Sequence, residues 1–175
     1  PRSFGAGLLA TRGSEGLLLL RGLLVIRSLL VGGLLVGSLL VGGLLLEDGG
    51  EALGGLDGVI NAAGRLTLGG TAALLARAQF YVAPDTAVTH MAAATGVPTI
   101  ALFGPSEPVK WGPWPKGHNA STNPWRRLGN QRAGNVQLIQ GRAACVPCGH
   151  EGCERHVGSA SDCLLAIPAE AVISC

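Results

Sequence analysis

The clearest alternation of apolar and polar segments along the chain runs from residue 80 to residue 103. Residues 80–82, Phe-Tyr-Val, are an aromatic and β-branched run typical of a strand, and Asp85 and Thr86 then supply side-chain oxygens that favour a helix N-terminus. Residues 88–95 are acceptable helix formers, and Gly96 stands where a left-handed residue would end that helix. An apolar run at residues 99–103 has the length of a buried strand. The pattern predicts a strand, turn, helix and strand wound into a parallel α/β sheet.

Polar side chains gather at the beginning of the predicted helix. Asp85, Thr86, Thr89 and His90 all fall in or just before its first turn. The first amides of a helix have no internal acceptor and carry the positive end of the helix dipole, so a phosphate placed there gains several hydrogen bonds. The same spacing is typical of an ordinary capped helix whose histidine is packed or solvated. Both an anion site and a purely structural cap stay open on this evidence.

A longer motif covers the same residues. From Asp85 to Pro105 the chain reads Asp-Thr-x-x-x-His-x-Ala-Ala-Ala-x-Gly-x-Pro-Thr-x-Ala-Leu-Phe-Gly-Pro, and Pro-x-x-Trp-Gly-Pro follows. This motif resembles the carboxy-terminal domain of the heptosyltransferase family, glycosyltransferase family 9. The resemblance extends over residues 57–173: residues 59–68 and 72–78 resemble the strand, glycine turn and helix that precede the motif, and residues 145–167 resemble the family's cysteine-bearing tail.

The resemblance implies one half of a GT-B glycosyltransferase, in which two Rossmann-like domains face each other and the carboxy-terminal one holds the nucleotide-sugar. It places the residues that match Asp85, Thr86, Ala87 and His90 against the diphosphate and sugar of the donor. The chain departs from the family at Ala87, where glycine is usual, and a Cβ limits both positive φ and close approach to a phosphate. The general base that the resemblance implies is a carboxylate of the amino-terminal domain, so we predict no catalytic residue in this chain.

The same resemblance implies the reaction and its participants. The expected activity is transfer of a sugar, heptose from ADP-heptose, to a lipopolysaccharide-type acceptor. The expected partners are the nucleotide-sugar donor, a lipid-linked saccharide acceptor and the missing amino-terminal domain, in the bacterial cytoplasm with peripheral contact at the inner membrane. A net charge of +2 without a basic run predicts no nucleic-acid partner. Two alternatives stay open: a non-catalytic nucleotide-binding module, and a membrane-anchored protein that uses residues 17–46 as its span.

Composition changes this picture at the start of the chain. Residues 8–56 consist almost wholly of Leu, Gly, Val and Ser, with a near five-residue repeat at residues 29–48. Residues 28–46 carry no charge, which is the basis of the membrane alternative. A five-residue period matches neither helix nor strand. We therefore predict that the low-complexity sequence given for residues 1–56 differs from the true sequence of that segment, which would form the first strands and helices of the same domain. Residues 57–175 are predicted to form the nucleotide-sugar-binding domain, with the cysteine-rich tail at its end.

The five cysteines form a second constellation, with a cysteine-rich tail at residues 145–163. Cys145 and Cys148 have the Cys-x2-Cys spacing of a thiolate metal knuckle, which Cys153 and Cys163 would complete. The second pair lacks zinc-ribbon spacing, and the odd count leaves Cys175 spare. Because burial alone satisfies a reduced cysteine, we predict no bound metal or cofactor and keep the four cysteines as the alternative ligand set.

Two aromatic segments complete the set of candidates. Residues 111–114, Trp-Gly-Pro-Trp, would either pack a loop onto the domain or flank the donor sugar. Residues 125–127, Trp-Arg-Arg, are predicted to form a solvated loop.

Overall fold

A computed structural model of the chain describes residues 8–10, 39–41, 65–156 and 159–175, the first two ranges by their backbone only. Most of the predicted low-complexity segment, residues 1–56, lies outside the described residues, as does the strand and glycine turn expected up to residue 64. Residues 39–41, inside the stretch of the membrane alternative, form a strand of the sheet. Among the residues that are described, no helix is both long and apolar enough to cross a membrane.

The described elements alternate strands and helices through the centre of the chain. The strands are β1 (Leu8–Ala10), β2 (Leu39–Val41), β3 (Phe80–Pro84), β4 (Thr99–Phe103), β5 (Gln131–Ala133) and β6 (Val136–Gln140). The helices are α1 (Leu68–Leu75), α2 (Ala87–Thr95), α3 (Pro108–Trp111), α4 (Asp162–Leu165) and α5 (Ala169–Ile173).

The six described strands form one mixed sheet in the order β2-β1-β3-β4-β6-β5. Strands β3, β4 and β6 are mutually parallel, with Tyr81 opposite Thr99 and Thr99 opposite Val136. Strand β1 is parallel to β2 but antiparallel to β3, and β5 and β6 form an antiparallel pair. The predicted α/β class with a Rossmann-like arrangement of strands and flanking helices is confirmed, and its parallel part is the β3–α2–β4 unit together with β6.

Helix α2 begins and ends where the sequence predicts. Thr86 is its N-cap, three consecutive alanines supply strong helix formers, and Gly96 ends it in the left-handed conformation at φ 90°. The preceding helix does not follow its prediction of residues 72–78. Because the Thr67 hydroxyl accepts a hydrogen bond from the Gly70 amide at 3.1 Å, α1 begins at Leu68, and it ends at Leu75.

Helix α2 contributes side chains to two clusters of buried residues. Ala92 packs in one cluster with Leu75, Tyr81 and Val97, and Ala93 packs in the other cluster. Small side chains at these two positions let the helix lie close to the sheet. Helix α2 is therefore held against the sheet by packing with both clusters.

The second cluster contains Trp125, which corrects the prediction of a solvated loop at residues 125–127. Its side chain is only 4% exposed and packs with Phe103 and Val136. Its indole Nε1 donates a hydrogen bond to the Pro113 carbonyl at 3.1 Å. The prediction holds for Arg126 and Arg127, which are exposed.

Candidate functional site

The candidate site begins at the junction between β3 and α2, where Pro84 ends the strand. Asp85 and Thr86 make the turn, and the Thr86 side-chain oxygen accepts a hydrogen bond from the Thr89 amide at 3.3 Å. A cap of this kind contributes about 1 kcal/mol to helix stability. The predicted strand, turn and helix are thus present, with the polar residues at the carboxyl end of a parallel strand, where open α/β sheets bind ligands.

Thr89 holds the junction together from inside. Its side chain is fully buried, and its hydroxyl donates to the Pro84 carbonyl at 2.6 Å. The same oxygen lies 3.1 Å from Thr86 Oγ1 and 3.4 Å from the Tyr81 hydroxyl. Thr89 therefore fixes the geometry of the turn, and it does not face the surface on which a ligand would lie.

The first two amides of α2 are available to a ligand. Among the described residues, none accepts a hydrogen bond from the amide of Ala87 or Val88. Ala87 is exposed, and helix dipole and N–H groups point at the same surface. The structure therefore has at this junction the elements of an anion site, namely unengaged amides at the start of a packed helix of nine residues.

Asp85 precedes α2 and His90 lies in its first turn, and the two side chains approach each other. Asp85 Oδ1 is 3.5 Å from His90 Nε2, and their side chains are 21% and 41% exposed, respectively. Each can therefore reach a ligand at the start of α2 while contacting the other. The interaction is partly solvated, so it orients the two side chains more than it stabilises the fold.

Ala87, the departure from the family pattern, has no backbone strain. Among the described residues, Arg155 is the one non-glycine residue with a positive φ, so Ala87 occupies ordinary helical backbone as the first residue of α2. The conformational freedom of glycine is thus not needed here. What remains of the departure is one methyl group at the surface on which a phosphate would lie.

A crevice of about 600 Å³ opens beside this junction. Part of its lining is formed by Asp85, by Pro105 and Ser106 after β4, and by Trp111 at the end of α3. The rest of the lining belongs to the cysteine-rich tail, and we call these residues the tail wall: Gly149, His150, Glu151, Gly152, Ser159 and Ser161.

Of the four predicted donor contacts, Asp85 lines this crevice, whereas Thr86, Ala87 and His90 are not among the described residues that line it. These three stand beside it at the start of α2. The sequence reasoning did not find Ser106 or the tail wall. Ser106 could have been predicted from the sequence, because it follows the strand β4. The carboxyl end of β4 lies next to that of β3 in a parallel pair, and ligands bind at such ends.

The two tryptophans of residues 111–114 have different surroundings. Trp111 lines the crevice and is 51% exposed, with Lys110 Nζ 5.1 Å from the centre of its ring. Trp114 makes an edge-on contact with His118, with ring centres 5.5 Å apart. Only the first of the two is placed where a ligand in the crevice would meet it.

The tail brings its four cysteines near one another as free thiols. Burial raises the pKa of the Cys163 thiol, and the neighbouring Cys145, Cys148 and Cys153 raise it further. Within the described part of the chain, no group of three or more His, Cys, Asp or Glu side chains is arranged to hold a metal ion. The alternative of a thiolate metal site stays a prediction from spacing.

Comparison with known proteins identifies the family. The sequence profile of glycosyltransferase family 9 (heptosyltransferase) matches residues 50–137, half of the 175-residue chain. The match contains β3, α2 and β4 and therefore the whole junction. The chain belongs to glycosyltransferase family 9. This family has the GT-B fold, so the described sheet and helices belong to one Rossmann-like half of that architecture.

Three curated relatives of this family 9 chain are lipopolysaccharide heptosyltransferases. Lipopolysaccharide heptosyltransferase 1 of Pseudomonas aeruginosa is 54% identical over 44 residues, which are 25% of this chain and 12% of that protein. Lipopolysaccharide heptosyltransferase 3 of Escherichia coli is 40% identical over 52 residues, which are 30% of this chain and 15% of that protein. Lipopolysaccharide heptosyltransferase 1 of Salmonella typhimurium is 38% identical over 72 residues, which are 41% of this chain and 23% of that protein.

These matches show which part of the chain, and how much of its relatives, the similarity covers. The chain spans less than a quarter of the length of the curated relatives that it matches. No solved structure matches the chain. The tail wall begins at Gly149 and so lies beyond the profile-matched residues 50–137.

Proposed function

We propose that this chain is the donor-binding domain of a glycosyltransferase that transfers heptose from ADP-heptose to a lipopolysaccharide-type acceptor. The observation that carries the proposal is the start of α2, which lies within the family-matched residues and presents the unengaged amides of Ala87 and Val88. Asp85, Thr86 and His90 surround these amides. A nucleoside diphosphate would accept hydrogen bonds there that no described residue of the chain accepts.

The role proposed for this junction is stabilisation of the leaving group. Sugar transfer breaks the bond between the sugar carbon and the diphosphate oxygen, so negative charge grows on the phosphate as that bond opens. The amides of Ala87 and Val88, the α2 dipole and a hydrogen bond from His90 are directed at that charge, and they act without a covalent intermediate. Asp85, which contacts His90 and also lines the crevice, is placed to accept a hydrogen bond from the sugar.

We assign no catalytic base to this chain. In the proposed enzyme a carboxylate of an amino-terminal domain removes the proton of the acceptor hydroxyl, because one Rossmann-like half supplies only the donor side of a GT-B cleft. The names of the matched relatives support a lipopolysaccharide acceptor. With a lipid-linked acceptor, the reaction would take place at the cytoplasmic face of the inner membrane. Contact of the enzyme with that membrane would be peripheral.

Calorimetric titration of the chain with ADP tests the proposal. His90→Ala removes the hydrogen bond to the phosphate, so the affinity for ADP is expected to fall about tenfold. His118→Ala is the matched control, since His118 contacts Trp114 and lies outside the junction. Absence of ADP binding by the unmodified chain, or equal losses in both variants, would overturn the proposal.

A second measurement separates the enzyme from a non-catalytic nucleotide-binding module. The chain is combined with an amino-terminal domain of a family 9 enzyme, and transfer of heptose from ADP-heptose to a lipopolysaccharide acceptor is followed. Transfer supports the enzyme. ADP binding without transfer, with the added domain shown to be folded, would favour the binding module, for which the methyl group of Ala87 is the one structural argument.

A further inference from the structure

The crevice beside the junction is formed by two parts of the chain that are far apart in the sequence. Asp85, Ser106 and Trp111 belong to the family-matched residues 50–137, whereas the tail wall lies beyond them in the sequence. Asp85 belongs to both the junction and the crevice. A donor whose diphosphate lies at the start of α2 would therefore extend its sugar past Asp85 into this crevice.

Backbone contacts hold the tail wall in position. The Gly149 amide donates to the Pro105 carbonyl at 2.9 Å, which fixes the beginning of the wall to the end of β4. The Cys153 amide donates to the Ala160 carbonyl at 2.8 Å. Both bonds use main-chain groups, and of the wall's side chains Ser159 Oγ also holds the loop, accepting a hydrogen bond from the Glu154 amide at 3.2 Å.

At Gly152 the backbone of the tail wall lies very close to Ser159. Its φ is +84°, and a Cβ at this position would lie 1.8 Å from Ser159 Oγ. A side chain there would therefore be both strained and obstructed. The two segments of the tail loop approach closely at Gly152 and Ser159, and both contribute to the lining of the crevice.

The charges of the crevice argue against a phosphate and in favour of a sugar. Among the described residues that line it there is no lysine or arginine, and the ionisable ones are Asp85, His150 and Glu151. Two carboxylates without a permanent cation repel an anion, but they are strong acceptors for hydroxyl groups. The lining also contains three serine hydroxyls, at Ser106, Ser159 and Ser161.

Trp111 adds an apolar surface to these polar groups. The residue is 51% exposed and lines the crevice together with the tail wall. An exposed aromatic face next to hydroxyl and carboxylate groups suits a ring that is apolar on its C–H face and polar at its edge. A neutral polyhydroxylated sugar has this character.

We propose that the tail wall contacts the sugar of the donor and that Glu151 and His150 determine which sugar is accepted. The inference rests on the proposed function, because it takes the diphosphate to lie at the start of α2. A site that uses fixed acceptors for particular hydroxyls discriminates strongly against sugars that lack them, since the acceptors are then left without partners. The family-matched residues bind the nucleotide, and the tail selects the sugar.

The test compares ADP with ADP-heptose on the full chain by calorimetry. Glu151→Gln removes a charged acceptor, so the affinity for ADP-heptose is expected to fall about tenfold, whereas the affinity for ADP stays within about twofold of the unmodified value. His150→Ala is expected to act in the same direction. Glu154→Gln is the matched control, because Glu154 belongs to the same loop but pairs with exposed His156 at 3.0 Å and does not line the crevice.

Three outcomes would overturn the inference, and they differ in what else they affect. If the unmodified chain binds ADP but binds ADP-heptose no more tightly, the crevice does not hold the sugar. If Glu151→Gln and Glu154→Gln change the affinity for ADP-heptose equally, the tail wall does not contact it. In both cases the proposed function stands. If the unmodified chain binds neither ligand, the proposed function fails together with the inference. Circular dichroism of each variant checks that the fold is retained.

Discussion

The junction of β3 with α2 and the tail wall meet at one crevice, but they are built differently. The junction is fixed by a buried hydroxyl, that of Thr89, and by a helix that packs against two buried clusters. The tail wall is fixed by main-chain hydrogen bonds and by a glycine that cannot accept a side chain. The comparison indicates that buried side chains hold the junction, whereas the backbone holds the tail wall.

The largest effect is expected from the core that supports the family-matched half. Trp125→Ala removes a buried indole from the cluster around Phe103 and Val136, so the free energy of unfolding should fall by about 3–5 kcal/mol. Trp114→Ala, where the side chain is 40% exposed, is the control and should cost much less. Urea denaturation measures both. Equal losses of unfolding free energy would mean that buried Trp125 stabilises the fold no more than exposed Trp114 does.

The tail is tested by a pair of glycines. Gly152→Ala forces a left-handed alanine against Ser159, and we expect a loss of about 2–4 kcal/mol in tail stability. Gly149→Ala is the control: its φ is +71°, but nothing lies within 4 Å of the added Cβ, so only the conformational cost of about 1 kcal/mol applies. Limited proteolysis monitors the tail. Faster cleavage in Gly149→Ala than in Gly152→Ala would contradict the described closure.

The junction is tested through its buried hydroxyl. Thr89→Val keeps the shape of the side chain but leaves the Pro84 carbonyl without its 2.6 Å donor, so unfolding should become easier by about 1–3 kcal/mol. Thr95→Val is the matched control, since the Thr95 hydroxyl bonds the Ala92 carbonyl on a half-buried part of the same helix. Chemical denaturation of the two variants compares them. A smaller loss at Thr89 would show that the hydroxyl does not hold the turn.

The smallest effect is one of thiol reactivity and pH. Since burial and the neighbouring thiols raise the pKa of Cys163, a smaller fraction of it is thiolate near pH 8, and burial restricts access. Iodoacetamide should therefore modify Cys163 more slowly than exposed Cys145 and Cys153, as mapped by mass spectrometry. The thiolate fraction of Cys163, and with it the rate of modification, should increase as the pH rises through the raised pKa. Preferential labelling of Cys163 would contradict this account of the tail.

How much of the molecule the sequence predicts depends on whether the cause is local. The ends of α2 follow from Thr86 and Gly96, which act on their own neighbours, and the predicted strand at residues 99–103 is β4. Burial of Trp125 was not predicted, because it depends on the Pro113 carbonyl and on strand β6, which are brought near it only by the fold. The neighbouring Arg126 and Arg127 instead favoured a solvated loop.

The site divides along the same line. The sequence placed Asp85, Thr86, Ala87 and His90 together, because they lie just before and within the first turn of α2. It could not place Glu151 or His150 in the same crevice as Asp85, since exposed polar residues between cysteines look like any loop until the Gly149 amide is seen to bond the end of β4. Contacts between distant segments are what a pattern of hydrophobic and polar positions does not contain.

The most direct test of the central claim is an amide NMR titration of the ¹⁵N-labelled chain with ADP. If the diphosphate binds at the start of α2, the amide signals of Ala87 and Val88 should shift more than those of the other described helix starts, α1 and α5 among them. Shifts that leave these two amides unchanged while signals elsewhere move would contradict the claim that this junction binds the donor.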